Sequence, residues 1–216
     1  MAAVVDKPGE GKRSGAGRPR DPAKHHAIIA AALATFLERG FNAATIEHIA
    51  ARAGVSKVTI YNRFTDKETL FEQVVKARTD EIEAAIMADT PRKGDFEGLL
   101  NAFGRNLLGF LFDSAHVALD RMLPQEIAHL PTLASRFFDA GPGQCRERLA
   151  SVLRKAREAG LVEIDDAARA AEDLMALWKG FADVELKFGV RDRMSKAEIE
   201  ARVRHGTALF LRAYRP

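Results

Sequence analysis

Residues 45–64 read TIEHIAARAGVSKVTIYNRF, and no other stretch of this chain says as much about its fold. Two short helical patterns lie on either side of Gly54, a residue type that can turn the chain with a positive φ angle. Ala50 is small enough to lie where two steeply crossing helices touch, and Val55 and Ile60 can anchor the second helix. The spacing therefore predicts a helix-turn-helix.

The second helix of this motif carries polar side chains on the side away from its apolar anchor. They have lengths that suit base edges and phosphates in a major groove about 12 Å wide, and they are Lys57, Thr59, Tyr61, Asn62 and Arg63. Thr45 and Lys67 begin the helices on either side, and a helix N-terminus favours a bound phosphate. The alternative is a small helical hairpin whose polar face is simply solvated.

A longer run around the motif resembles the TetR family of bacterial transcriptional regulators. The similarity covers residues 24–71 and rests on FLERGF at 36–41, AT at 44–45, IA at 49–50, AGVS at 53–56, IY at 60–61, Phe64 and KETLF at 67–71. The resemblance implies a homodimer that binds a palindromic DNA operator, most often as a repressor. It also implies a C-terminal helical domain that binds a small-molecule effector and sets the spacing of the two DNA-binding heads.

Carried over position by position, the resemblance also implies roles for single residues. Thr45, Tyr61 and Lys67 correspond to phosphate contacts, and the base-facing set corresponds to Lys57, Val58, Thr59 and Asn62. This chain departs from the family at two positions. Val58 stands where glycine or alanine is frequent, and Arg63 stands where tyrosine or histidine is frequent. The operator sequence therefore cannot be carried over from a relative.

The first 21 residues form a basic arm with hardly any bulky apolar side chain. Six basic and three acidic residues lie within positions 1–26, and too little apolar surface is present here to offset the entropy of ordering. GRPR at 17–20 is similar to the core of an AT-hook, in which arginines enter a narrow A·T minor groove of high negative potential. Arg18 and Arg20 are thus candidate DNA contacts, although a merely solubilising tail is the alternative.

The rest of the chain shows helical patterns and no convincing strand. Asp21, Thr45, Ser56, Thr65 or Asp66, Asp165 and Ser195 are candidate N-caps, and Gly40, Gly54 and Gly160 are candidate stops. The longest late pattern places Leu174, Leu177, Trp178, Phe181, Val184 and Phe188 at steps of three and four. We predict an all-α fold of about nine helices, divided into the arm (1–21), a helix-turn-helix DNA-binding domain (22–76) and a helical ligand-binding and dimerisation domain (77–216).

The C-terminal region loosely resembles the AefR-like branch of the family, through Glu126 with Pro131, the pair Phe137-Phe138 and ALFLRAY at 208–214. Ligand sites in helical bundles are apolar cavities with a few polar groups. The candidate lining residues are Phe103, Leu107, Phe110, Met122, Phe137, Trp178 and Phe181, with His116, Arg121, Glu126 and His129 as possible polar contacts. For each apolar residue, an ordinary place in the core is the alternative. The helices around 174–188 and 199–214 are the expected dimer surface.

Two other classes of protein remain as rivals. An enzyme could use Cys145 as nucleophile with His116 or His129 as base, but nothing in the sequence holds these groups together, so we expect no enzymatic activity. A helical adaptor could bind protein through the same motif, and steep salt dependence of DNA binding would distinguish the two. No cofactor and no metal site is expected. A single cysteine and an N-terminus without an apolar leader favour a cytoplasmic protein with no membrane partner.

Overall fold

A computed structural model describes residues 21–88, 94–128 and 131–216. Over these residues the predicted all-α fold is confirmed, with eleven helices against about nine predicted. The helices are α1 (Pro22–Ala43), α2 (Ile46–Ala53), α3 (Lys57–Tyr61), α4 (Lys67–Ala88), α5 (Phe96–Leu111), α6 (Ser114–Ile127), α7 (Pro131–Ala140), α8 (Pro142–Glu158), α9 (Ala167–Lys179), α10 (Ala182–Lys187) and α11 (Lys196–Ala213). Within the described residues, no helix combines the length and the apolar character needed to cross a bilayer.

Local capping chemistry sets most helix starts. The predicted caps at Asp21, Thr45, Ser56 and Ser195 are confirmed, because each side chain accepts a hydrogen bond from a backbone N–H in the first turn. Of the two candidates for α4, it is Asp66 whose carboxylate accepts from the Thr69 N–H, at 2.6 Å. For α9 the cap is Asp166 rather than the predicted Asp165.

The long late pattern is broken at Gly180, which has a φ of 46°. We predicted one continuous run from 165 to 188, but the chain turns here and separates α9 from the short α10. The spacing of three and four residues therefore does not place the side chains before and after Gly180 on one helix face. Phe181 lies directly after the turn and is 79% exposed.

Among the described residues, two groups of buried apolar side chains hold the helices together. The first group contains side chains from the four helices α1, α2, α3 and α4, together with Leu119 and Leu123 of α6 and Leu133 of α7. The second is formed mainly by α5, α8, α9 and α11 around Trp178. Helices α1 to α3 and the C-terminal helices are thus connected through α4, α6 and α7.

Trp178 lies in the tightest part of the second group. Its indole is fully buried and donates from Nε1 to the Thr207 hydroxyl at 3.0 Å. A Cβ at Gly104 would lie 2.9 Å from Trp178 Cε2, and a Cβ at Gly206 would lie 2.9 Å from Trp178 Cδ1. Two glycines therefore allow α5 and α11 to approach the indole from either side.

Candidate nucleic-acid interface and effector cavity

The helix-turn-helix forms as the residue pattern predicts. Gly54 closes α2 in the left-handed conformation, with φ 66° and ψ 32°. Ala50 and Ile60 are buried where α2 and α3 meet, and Val55 is half-buried in the turn. The turn and its anchor fix α3 on the surface of the first core, so its remaining side chains point outwards.

The outer face of α3 exposes one aliphatic and one aromatic side chain beside its polar groups. Val58 is 65% exposed and Tyr61 is 53% exposed, and Lys57 and Asn62 are exposed beside them. Thr59 differs from these four, because it is half-buried and its hydroxyl lies 2.9 Å from the Ser56 hydroxyl that caps α3. Apolar groups such as Val58 can contact a thymine methyl, and an amide such as Asn62 can pair with adenine.

Lys57 has an acidic partner on the preceding helix. Its Nζ lies 2.9 Å from Glu47 Oε1, and both side chains are more than half exposed. The hydrogen bond from Lys57 lowers the pKa of Glu47, and the same bond raises the pKa of Lys57. Glu47 was not among the predicted site residues, although the sequence places it in the first turn of α2, where the structure leaves it exposed. DNA binding through Lys57 would exchange this pair for a phosphate or base contact.

Two basic side chains, those of His48 and Arg39, lie close to Thr45 at the start of α2. Its hydroxyl accepts from the His48 N–H at 3.3 Å and lies 3.1 Å from His48 Nδ1. Arg39 of α1 brings its guanidinium to 3.3 Å from His48 Nε2. Sequence reasoning missed Arg39 and His48, because the approach of Arg39 depends on the kink at Gly40, where φ is 77°.

Lys67 lies at the start of α4 as predicted, but its ammonium points towards the protein. The Nζ donates to the carbonyls of Phe41, Asn42 and Ala44 at 2.8, 3.2 and 3.1 Å. It also lies 4.5 Å from the centre of the Phe41 ring. We call this arrangement the Lys67 clamp, because it fixes α4 to the corner between α1 and α2. A phosphate contact by Lys67 stays a prediction.

Arg18 and Arg20 lie outside the described residues, but the point where the arm leaves α1 is described. Arg63 donates from Nη2 to the Asp21 carbonyl at 3.1 Å, directly after α3. His25 stacks on Phe64 with ring centres 5.7 Å apart. Burial lowers the pKa of His25, and Arg63 and His26 lower it further. The root of the arm is therefore held beside the C-terminal end of the candidate reading helix.

A cavity of about 290 Å³ lies between the two cores, with walls from α4 to α10. Of the predicted ligand-binding residues, Leu107, Phe110 and Phe137 line it, and so does His116 among the predicted polar contacts. A wider groove of about 690 Å³ lies between α4, α5 and the start of α11. The smaller cavity is the better candidate for an effector, because it lies inside the helical bundle and combines apolar walls with convergent polar groups.

Other predicted ligand-binding residues lie elsewhere. Phe103 and Trp178 are core residues that stack on each other at 6.1 Å, and Phe181 is turned out to solvent by the break at Gly180. The Met122 and Glu126 side chains and His129 lie outside what the structure describes. Arg121 donates to the backbone carbonyls of Leu186 and Lys187 instead of lining the cavity.

A strip of exposed apolar side chains runs along the end of α9, through α10 and into the following loop. Its members are Leu177, Phe181, Val184, Phe188 and Val190, of which Phe181, Phe188 and Val190 are 79%, 81% and 80% exposed. We call these five residues the apolar strip. Large apolar patches are typical of interaction sites on protein surfaces, so the apolar strip is a candidate interface.

Both halves of the chain match known protein families. Residues 28–74 match the family described as bacterial regulatory proteins, tetR family, and residues 98–216 match the AefR-like transcriptional repressor C-terminal domain. A TetR-family regulator structure from Mesorhizobium loti is 31% identical over 92% of this chain and 100% of its own, with a TM-score of 0.76. The flavonoid-responsive regulator FrrA is 33% identical over 91% and 99% of the two chains, with a TM-score of 0.74.

Two curated relatives match over shorter stretches of the chain. The regulator YdeS of Bacillus subtilis is 43% identical over 67 residues, which is 31% of this chain and 34% of YdeS. The activator FasR of Mycolicibacterium smegmatis is 36% identical over 37% of this chain and 36% of its own length. The chain thus aligns with about a third of each of these two relatives.

Proposed function

Since the chain belongs to the TetR family of bacterial regulatory proteins, and so is a DNA-binding transcriptional regulator, we propose that it acts as a ligand-responsive repressor that binds a palindromic operator as a homodimer. The observation that carries the proposal is the exposed outer face of α3 on a firmly anchored turn. Repression is supported by the description of the matched C-terminal domain as that of a repressor.

In this proposal α3 enters the major groove. Lys57, Val58, Thr59 and Asn62 face the bases, whereas Thr45 and Tyr61 hold the phosphate backbone. The predicted phosphate contact of Lys67 would compete with its three bonds in the Lys67 clamp. Arg39 and His48 join Thr45 in this second role, because their side chains lie together at the start of α2. Arg18 and Arg20 follow the adjacent minor groove. The bond from Arg63 to the Asp21 carbonyl supports this placement, because it roots the arm beside α3.

The proposed dimer uses the apolar strip together with α11. The strip would otherwise leave two phenylalanines and a valine almost fully in water, and burying such side chains is the main driving force for association. A two-fold dimer would present two copies of α3 to successive major grooves about 34 to 36 Å apart, or to a multiple or modest variant of that spacing. In this scheme residues 22–76 form the DNA-binding domain and residues 77–216 form the effector and dimerisation domain.

The proposed effector binds the cavity of about 290 Å³ and acts through α4. Val75, Arg78 and Thr79 of α4 line this cavity, and the same helix begins at the Lys67 clamp beside the DNA-reading helices. An effector that binds a state with the heads spread apart more tightly would release the operator, and a coupling of about 1 to 3 kcal/mol is typical. The aromatic wall, and the similarity to a flavonoid-responsive regulator, favour a small aromatic effector.

DNA reading is tested by selecting duplexes from a random pool with the full chain, then measuring affinity for a selected duplex and a scrambled one. Asn62→Ala should reduce the preference for the selected duplex by about tenfold, since a good base contact contributes about 1 to 3 kcal/mol of discrimination. Tyr61→Phe should weaken both duplexes by the same factor. Lys155→Ala, at an exposed position on α8, is the control and should change neither affinity.

Three results would contradict the proposal. If Asn62→Ala weakens both duplexes equally, the base-reading role is wrong. If the selected duplexes lack an inverted repeat, the palindromic operator is wrong. If sedimentation shows that the wild-type chain is a monomer, with the same sedimentation coefficient as Phe188→Ser, the homodimer is wrong.

A further inference from the structure

One wall of the cavity is a cluster of four titratable side chains from two helices, which we call the polar end. His116 and Asp120 come from α6, and Asp183 and Lys187 come from α10. Lys187 Nζ lies 3.2 Å from Asp120 Oδ2 and 3.3 Å from Asp183 Oδ2. His116 Nε2 lies 3.6 Å from Asp120 Oδ1, and the two side chains are only 12% and 21% exposed. The cluster is therefore held together inside the wall.

The charges that line the cavity are already balanced. Lys187 pairs with both aspartates, and Lys179 of α9 adds a second positive charge to the lining of the cavity. Arg78 faces the cavity from α4 and is paired with Glu81. A ligand with a net charge would bring an uncompensated ion into a half-closed space, which costs free energy, whereas an uncharged polar ligand would not.

His116 supplies the group that an uncharged ligand could use. Burial lowers the pKa of His116; Asp120 opposes this effect, and Arg78 and Lys187 add to it. A neutral imidazole has one nitrogen that donates and one that accepts. The Asp120 carboxylate lies 3.6 Å from Nε2 and favours the proton on that nitrogen, so Nδ1 is the nitrogen that accepts a hydrogen bond from a ligand hydroxyl.

The surfaces next to His116 are aromatic and apolar. The Phe110 ring lies 4.3 Å from the His116 ring, measured between centres, and Phe137 and Met175 line the same cavity. Aromatic rings favour offset or edge-to-face contacts with other rings, and thioether sulfur also makes favourable contacts with them. The walls therefore fit a flat aromatic body whose edge reaches His116.

We propose that the polar end binds the hydroxyl group of an uncharged, hydroxylated aromatic molecule, with His116 as its hydrogen-bond partner. The inference rests on the proposed role of this cavity as the effector site, and it adds the chemical class. In the bound state the aromatic body lies against Phe110 and Phe137. The ion pairs of Lys187 with the two aspartates stay intact and exclude charged analogues.

The test uses four probes on one two-ring skeleton, measured by calorimetry on the full chain without DNA. They are 2-naphthol, 2-methoxynaphthalene, 2-naphthoate and 2-naphthylmethylammonium. The wild-type chain should bind 2-naphthol about tenfold more tightly than the methoxy compound, which cannot donate, since a hydrogen bond contributes up to about 1.5 kcal/mol. Both charged probes should bind more weakly than 2-naphthol.

Two variants locate the contact. His116→Phe keeps a ring beside Phe110 and should remove the tenfold preference for 2-naphthol. His26→Phe, at an exposed histidine on α1, is the matched control and should keep it. Lys187→Met leaves Asp120 and Asp183 without their cation, and should raise the affinity for 2-naphthylmethylammonium about tenfold.

Several outcomes would overturn the proposal. These are tightest binding of a charged probe by the wild-type chain, no binding of any probe at millimolar concentration, and an unchanged preference in His116→Phe. Operator release is measured separately by gel shift. If 2-naphthol binds with the expected preference but does not release the operator, the effector role fails while the chemistry of the polar end stands.

Discussion

Replacing Lys67 by methionine tests whether this residue serves the protein or the DNA. Methionine keeps most of the apolar stem but removes the ammonium that donates to three carbonyls. Two of the three contacts are partly buried, and we assign about 1 kcal/mol to each because the group is half-exposed. The contact with the Phe41 ring adds about 0.5 kcal/mol. The free energy of unfolding should fall by about 2.5 kcal/mol, which corresponds to about 5 to 10 °C in Tm for a chain of this size.

The assay combines thermal unfolding by circular dichroism with operator affinity over a range of salt concentrations. Lys76→Met is the control on the same helix, because Lys76 forms an exposed ion pair with Asp80 that should contribute under about 1 kcal/mol. A structural clamp predicts a lower Tm for Lys67→Met and an unchanged slope of log affinity against log salt. If Tm stays within about 2 °C of wild type and the slope drops by about 0.9, Lys67 is a phosphate contact and the clamp is wrong.

Two further predictions concern stability. Gly206→Ala places a Cβ 2.9 Å from Trp178 Cδ1, and this overpacking should cost about 1 to 3 kcal/mol and lower Tm by several degrees. Gly109→Ala, where a Cβ would meet no atom within 4 Å, should cause no loss, and equal melting of the two variants would contradict the close approach. Glu198 accepts from the Ser195 N–H and hydroxyl, which lowers its pKa from 4.5 to about 2. The stabilisation is therefore present above about pH 4.5 and is lost as the pH falls towards 2, so urea unfolding should show Glu198→Gln less stable than wild type at neutral pH and nearly equal near pH 2. If the difference in unfolding free energy between wild type and Glu198→Gln does not change with pH, the Glu198 carboxylate is not the source of this stabilisation.

The parts of the fold that local chemistry decides could be predicted from the sequence. Thr45, Gly54 and Ser56 set the helix-turn-helix through caps and a left-handed turn, and all three act within four residues of themselves in the chain. The outer face of α3 follows from the position of its anchor, Ile60. Such short-range rules need no knowledge of how distant helices pack.

The parts that depend on tertiary contacts could not be predicted in this way. The ammonium of Lys67 reaches carbonyls more than twenty residues away along the chain, so its direction is invisible in the sequence. Phe181 is one of the predicted ligand-binding residues, but the turn at Gly180 leaves its side chain 79% exposed. The polar end forms only because α6 packs against α10. Of its four residues, only His116 was predicted from the sequence as a possible polar contact.

Trp178 is the one tryptophan in the chain, and its place between Gly104 and Gly206 makes it a spectroscopic reporter. Its indole is shielded from water and tied to Thr207, so the intact protein should emit at short wavelength. A red shift would report loosening where α5, α9 and α11 meet, and it would carry no contribution from an indole near the DNA-reading helices. Tryptophan fluorescence can thus report on the C-terminal core alone, without an attached dye, while DNA binding is measured by a separate method.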